Sequence, residues 1–375
     1  MAAVTDPCLQ KTQPKLYGRV ASVSNIFPQL LLDLRSEDRQ RRLLAAQDLV
    51  AYEEHLQASQ LKQLIPFFKR FLFDDLSDED AADLCTAAAQ FFTPLAEAEA
   101  GSVDHPSDSV NEAILESRPA AGWIPTLLDW GAVPRLIDLL NWPNQADTKP
   151  WPGAHAAAGG RLLCALAAHQ NVQAHEQLLQ LEAVPALLHA LEEAWLNTCS
   201  AEILFYLADS PVPGALDRLR MSDGAAILVA YITRNVHNRR KRMRSYGPTA
   251  AENPPYHEVA CLYYAVQLLI LLAVRPDGDG DDPEEDTLKL GLPVPTQDVV
   301  EAVQAVLGLM PPPKLAAAVQ KLINCCPETR AALEEQALSS QDGRGSGWLS
   351  NAWNIMKRAL EDPRETELAK SEKTV

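Results

Sequence analysis

The chain lacks C-x-x-C pairs, an excess of cations and long apolar runs, and each absence removes a class of protein. Its seven cysteines (Cys8, Cys85, Cys164, Cys199, Cys261, Cys325 and Cys326) are an odd number with no C-x-x-C spacing. That argues against a disulfide framework or a zinc ribbon, and several lie in Leu- and Ala-rich stretches where they read as reduced core thiols. The adjacent pair Cys325-Cys326 reads as one thiol facing a core and one at a helix end rather than as a redox couple. Lys and Arg total 33 against 50 Asp and Glu, a formal charge of −17, so the chain as a whole repels nucleic acid and anionic membrane. The longest apolar run, Val259 to Val274, contains Gln267 and is bounded by Glu258 and Arg275. It falls short of the ~20 residues a bilayer-spanning helix needs and reads as a buried helix. The first residues, Met1 to Pro7, lack the basic flank and apolar core of a secretory signal, so synthesis in the cytosol is expected. No segment alternates apolar and polar residues in the manner of a strand. The motifs H-E-x-x-H, G-x-S-x-G, G-x-x-x-x-G-K-[ST] and G-x-G-x-x-G are all missing. His169, His175 and His189 have no metal-ligand spacing and read as capping or surface residues, and Ala158-Gly159-Gly160 reads as a helix opening. No catalytic residue, cofactor or metal is assigned.

What the chain does have is leucine and alanine, together more than a quarter of its 375 residues. The bias favours helices with small residues at close crossings, and the length suffices for one large domain or two ordinary ones. Apolar residues recur at helical spacing over Arg41 to Leu56 and over Leu61 to Leu72. A third helix is predicted over Ala81 to Phe92, opened by a capping hydroxyl at Ser77 in the run Ser77-Asp78-Glu79-Asp80. Self-similarity then appears. Gly131-Ala132-Val133-Pro134-Arg135-Leu136-Ile137 returns as Glu182-Ala183-Val184-Pro185-Ala186-Leu187-Leu188, and more loosely as Asp223-Gly224-Ala225-Ala226-Ile227-Leu228-Val229. Proline is tolerated in the first helical turn, where its missing N–H had no partner, so Pro134 and Pro185 mark entries into buried helices. Such units cannot cover their own apolar faces and must stack.

These segments resemble the armadillo repeat, a unit of three helices. Leu166 to Gln173, followed by Leu178-Leu179 and Glu182 to Leu188, is similar to the junction between one repeat's third helix and the next repeat's "G-A-I-P-x-L-V", and Leu322 to Leu333 is a further junction-like stretch. The likeness is good over roughly 120 to 233 and 315 to 338, and Leu64-Ile65-Pro66-Phe67-Phe68 is at best a degenerate start. It implies an all-α, armadillo- or HEAT-like right-handed superhelical solenoid, and a non-enzymatic scaffold or adaptor binding a protein partner on its surface. A chaperone cofactor or assembly factor that embraces Hsp70 or its clients is the alternative, with a nuclear-transport adaptor or an enzyme behind it. Armadillo proteins that clamp basic peptides carry a Trp and an Asn on each third helix; here the aligned segments read Gly160-Arg161-Leu162-Leu163-Cys164-Ala165-Leu166 and Ala201-Glu202-Ile203-Leu204-Phe205-Tyr206-Leu207, without that pair.

The expected organisation is an N-terminal arm over 1–36, a solenoid over 37–340 with inserted loops near 141–154, 243–255 and 276–296, and a Gly-rich hinge, short amphipathic helix and charged tail over 341–375. Two features are candidates for partner binding. Arg234, Arg239, Arg240, Lys241, Arg242 and Arg244 concentrate positive charge in an acidic chain, as a nuclear-import signal, an acidic-partner dock or a phosphate patch, against the plainer reading of a solvated helix C-terminus. Leu349, Trp353, Met356 and Leu360 share one face of the C-terminal helix, which serves either as a cap on the last repeat or as a docking helix. The acidic run Asp277 to Asp286 begins with calcium-loop spacing but has Asp282 and Leu288 where such a loop needs Gly and Glu, and reads as a hydrated loop. The expected partners are proteins, with basic segments or a chaperone as candidates, and neither nucleic acid nor a membrane span. The expected location is cytoplasmic, with the nucleus as a second compartment.

Overall fold

A computed structural model describes residues 23–74, 76–100, 116–141, 153–168, 171–193, 196–246, 256–273, 292–309 and 311–339. Among them there are helices and no strands, so the all-α expectation holds. The chain divides into two compact units, Met1–Val212 and Pro213–Val375.

The first unit opens with α1 (Val23–Leu34), inside the stretch read as an arm, followed by α2 (Arg39–Ala51), α3 (Ala58–Phe73) and α4 (Glu79–Ala100). A 3₁₀ turn at Glu53–His55 ends the segment that the sequence read as helical to Leu56. Asp38 caps α2 by accepting from the Gln40 amide. Asp78, not Ser77, caps α4, its carboxylate accepting from the Ala81 amide at 2.9 Å. It also pairs with Arg39 of α2, so one side chain starts a helix and ties it to its neighbour. Pro66, read as a repeat start, lies well inside α3 instead. Buried aromatic rings fill the space between these helices: Phe68 and Phe91 stack at 4.0 Å, and Phe92 meets Phe91 edge-on.

Next come α5 (Trp123–Asp129), α6 (Ala132–Leu140) and α7 (Ala154–Ala167), then α8 (Val172–Gln180), α9 (Ala183–Ala190) and α10 (Asn197–Ala208). Each group is two short helices and a third, and the third helices stack in order, α4 on α7 and α7 on α10. Gly159 and Gly160 lie inside α7, not at its opening. A Cβ on Gly159 would sit 3.3 Å from the Leu136 carbonyl oxygen and 3.4 Å from the Leu139 Cβ, and one on Gly160 would sit 3.0 Å from Leu196. Their lack of a side chain lets α7 approach both neighbouring layers. The recurrent sequence has a backbone cause too. Gly131, Glu182 and Asp223, which head its three copies, all adopt left-handed φ (82°, 52° and 54°) immediately before a helix. The reversal between a repeat's first two helices is too tight for an ordinary conformation.

In the second unit, α11 (Ala215–Met221) leads into α12 (Gly224–Tyr246) and α13 (Tyr256–Ala273), followed by α14 (Thr296–Leu307), α15 (Pro313–Cys325) and α16 (Pro327–Ser339). Here α12 packs on α14 and α14 on α16, while α13 packs on α15. The apolar run is indeed the buried helix α13, with Leu262, Ala265, Leu269 and Leu272 fully covered, and no described helix is long and apolar enough to cross a membrane. Cys326 is buried and Cys325 half-buried at the end of α15. Burial pushes the Cys326 thiol up to about 11, which suits an inert core residue.

Candidate functional site

The stacked third helices of the first unit bring together residues far apart in sequence. Arg161 of α7 donates to Glu97 of α4 at 3.1 Å, with side chains 63% and 43% exposed. One layer on, Tyr206 of α10 donates to Glu202 at 2.8 Å, and Phe205 lies against Tyr206 with ring centres 5.9 Å apart. Cys164 and Cys199 sit at the α7–α10 contact. Burial, reinforced by Glu202, pushes the Cys199 thiol up to about 12 and that of Cys164 upward as well. These thiols stay protonated, so they contribute packing and no nucleophile. The product is a half-exposed strip of carboxylates, one guanidinium and two aromatic rings across three helices.

Beside this strip, His175 of α8 is wholly buried rather than at the surface. Its Nε2 lies 2.8 Å from the Ala167 carbonyl and its Nδ1 2.7 Å from the Ser210 hydroxyl. A carbonyl can only accept, so Nε2 carries the proton and Nδ1 accepts from Ser210, whose oxygen in turn accepts from the Val212 amide. Burial lowers the His175 pKa and keeps the ring neutral. The network fastens the end of α7, helix α8 and the turn after α10. His169 lies outside the described residues.

The basic run occupies the C-terminal part of α12. Arg234 and Lys241 are exposed and Arg240 is half-buried, whereas Arg239 is only 7% exposed. Arg240 donates to the Ala305 carbonyl at 3.1 Å, in the last turn of α14, and a Cβ on Gly308 would collide with its guanidinium. Arg135 does the same in the first unit, bonding the Phe73 and Asp74 carbonyls at the end of α3 at 3.0 and 3.2 Å. Two arginines of the same chemistry thus satisfy helix ends that would otherwise lack donors. The side chains of Arg242 and Arg244 lie outside the described residues, as do Asp277 to Asp286 and Leu349, Trp353, Met356 and Leu360. Among the described residues no group of His, Cys, Asp and Glu could hold a metal ion.

Solved structures similar to this chain include an engineered protein and a designed armadillo repeat protein. An engineered protein aligns with 80% of this chain and 95% of its own at 17% identity and a TM-score of 0.46. A designed armadillo repeat protein, solved in complex with the peptide (KR)4, aligns over 80% and 98% at 15% identity and a TM-score of 0.44. No family model matches the chain, and no curated protein does.

The link between Glu97 and Arg161 was not legible in the sequence because the two residues are 64 apart, whereas Glu202 and Tyr206 lie one helical turn apart and their pairing needed no tertiary structure to be seen. A further signal was the alignment of the two third helices, which places Arg161 and Glu202 in equivalent stretches.

Proposed function

We propose that the protein is a non-enzymatic scaffold acting in the cytoplasm, and that it binds a protein partner on the face formed by α4, α7 and α10. The observation that carries this reading is the strip itself. Glu97 and Arg161, then Glu202 and Tyr206, hold one another in place over three stacked helices while staying partly open to solvent. Preformed side chains of this kind lower the entropy lost on docking, and the aromatic pair supplies the large contact area that interfaces favour. Stacked helical repeats present such extended surfaces as a class. The inert thiols beside the strip support the same reading, since a face built for nucleophilic chemistry would lower their pKa values instead.

The test is affinity capture from cell lysate with the whole chain, compared with a Glu97→Lys, Glu202→Lys variant whose fold is checked by circular dichroism and thermal melting. A defined partner identified by mass and lost from the folded variant supports the proposal. Equal capture by both proteins, or turnover of a small molecule abolished by the same changes, overturns it. Reversing Arg234 and Lys241 in parallel separates this face from the basic run: loss of the partner there, and not at the strip, moves the interface to α12.

A further inference from the structure

The first helical layer exposes two large apolar side chains among polar ones. Among the described residues α1 packs on α2, and α2 in turn packs on α4, so α1 and α2 form the first layer of the stack, the place where helical repeats need a polar or covered end. Leu32 is 59% and Leu44 60% exposed. Between the helices runs a groove of about 520 Å³ whose walls mix Ile26, Leu30, Leu44 and Ala45 with polar residues, Asp33, Arg41 and Asp48 among them. Leu44 stands on its rim as a projecting knob.

The charges flanking that knob suit one occupant. Arg41 lies three residues before Leu44 and Asp48 three residues after Ala45 on the same stripe of α2. Place a two-fold axis between Leu44 and Ala45, so that a second α2 runs antiparallel to the first. Arg41 of each copy then faces Asp48 of the other, and Leu44 of each lies against Ala45 of the other, the two leucines flanking the axis beside Ile26 and Leu30. Such a stripe is self-complementary, which is the requirement for an isologous interface. In the single chain Arg41 has only a marginal ion pair with Asp38 at 4.0 Å, with both side chains more than half exposed, and Asp48 makes no ion pair among the described residues. Burial raises the Asp48 pKa, so a facing guanidinium would relieve a carboxylate that is already partly desolvated.

We infer that the α1–α2 end is an interface with a second copy of this chain, joined antiparallel through Leu44 and the reciprocal pairs Arg41 with Asp48. The arrangement is separate from the α4–α7–α10 face, so each can fail alone.

Sedimentation of the full chain across micromolar concentrations tests it, with three variants. Arg41→Asp places two carboxylates together at each end of the interface, and Asp48→Arg places two guanidinium groups there. Each is expected to raise the dimer dissociation constant at least ~10-fold, and the double variant, which restores opposite charges in reversed order, to return it to within ~3-fold of the parent. Rising salt should weaken the parent dimer. A parent that remains monomeric, single variants that dimerise as the parent does, or a folded double variant without recovery would overturn the proposal. Leu44→Cys with a short bismaleimide gives a second reading that needs no charge change. A covalent dimer through residue 44, beyond the background of the parent, supports the interface, and its absence refutes it.

Discussion

The two units build stacks from the same material in different proportions. In the first, the layers repeat every third helix: α4, α7 and α10 lie in register with two short helices between each pair. In the second, the described helices from α12 onward alternate, α12, α14 and α16 in one layer and α13 and α15 in the other. Their interiors differ accordingly. The first unit interleaves very small residues with very large ones, Ala87, Ala88, Ala89, Gly159 and Gly160 against Phe68, Phe91, Phe92 and Trp123, all buried. The second is filled by medium branched chains such as Val299, Val300, Val303, Val319 and Ile323. Small residues draw backbones together and leave the remaining volume to rings, whereas uniform branched chains hold helices at an even spacing. Short connecting helices and a face crossed by distant side chains accompany the first arrangement, which is why the candidate site lies there.

The widest separation between the units should come from emptying their cores. Phe68→Ala removes a ring stacked on Phe91 and is expected to destabilise its unit by about 3–5 kcal/mol. Val303→Ala removes two methyl groups and should cost about 1.5–2 kcal/mol. Hydrogen exchange at the amides of α3–α4 and α12–α14 reads each locally, and equal losses would erase the contrast. Overfilling is the complementary probe. Gly159→Val drives a branched chain into Leu139 and the Leu136 carbonyl, with an expected loss of about 1–3 kcal/mol in denaturant melts. A neutral outcome would mean that α6 and α7 can separate freely.

Acid should act on the first unit through His175. Its folded pKa is lowered by burial, so between that value and the unfolded one the unfolded chain binds more protons. The stabilisation is complete above the unfolded pKa of about 6.5 and is lost as pH falls below it toward the folded value. Protection of α8 amides should decline in that window, and His175→Gln should flatten the decline while lowering stability at neutral pH by about 1–3 kcal/mol. The smallest effect concerns the turn shared by both units. Asp223→Gly relieves a left-handed φ and should stabilise by about 0.5–1 kcal/mol, while Gly131→Ala should lose a similar amount. A Cβ at Gly131 meets nothing within 4 Å, so the loss there is purely conformational, and a null result in thermal melts would argue against strain at these turns.

The turns were the most legible part of the fold. Gly131, Glu182 and Asp223 are aligned by sequence alone because the residues after them must start a buried helix, and the structure gives all three the same unusual backbone conformation. Helix α13 was legible from its apolar run for the same local reason. Less legible were features where two residue types compete for one role. Asp78 displaced Ser77 as a cap because its carboxylate also reaches Arg39, and Gly159-Gly160 lies within a helix because a neighbour's approach outweighs glycine's poor propensity. His175 was misread for want of Ser210, 35 residues away.

Sequence alone determined that this chain is helical, where its helices turn, and that its units must stack, since periodicity and turn chemistry act over a few residues. Tertiary structure decided which charges are spent inside the fold and which remain outside. Arg239 and Arg240 look alike in sequence to Arg234 and Lys241, yet the first is buried and the second holds the end of α14. Charge type is written in the chain, but the groups that face it, and hence its desolvation and its availability to a partner, exist only once distant helices have packed.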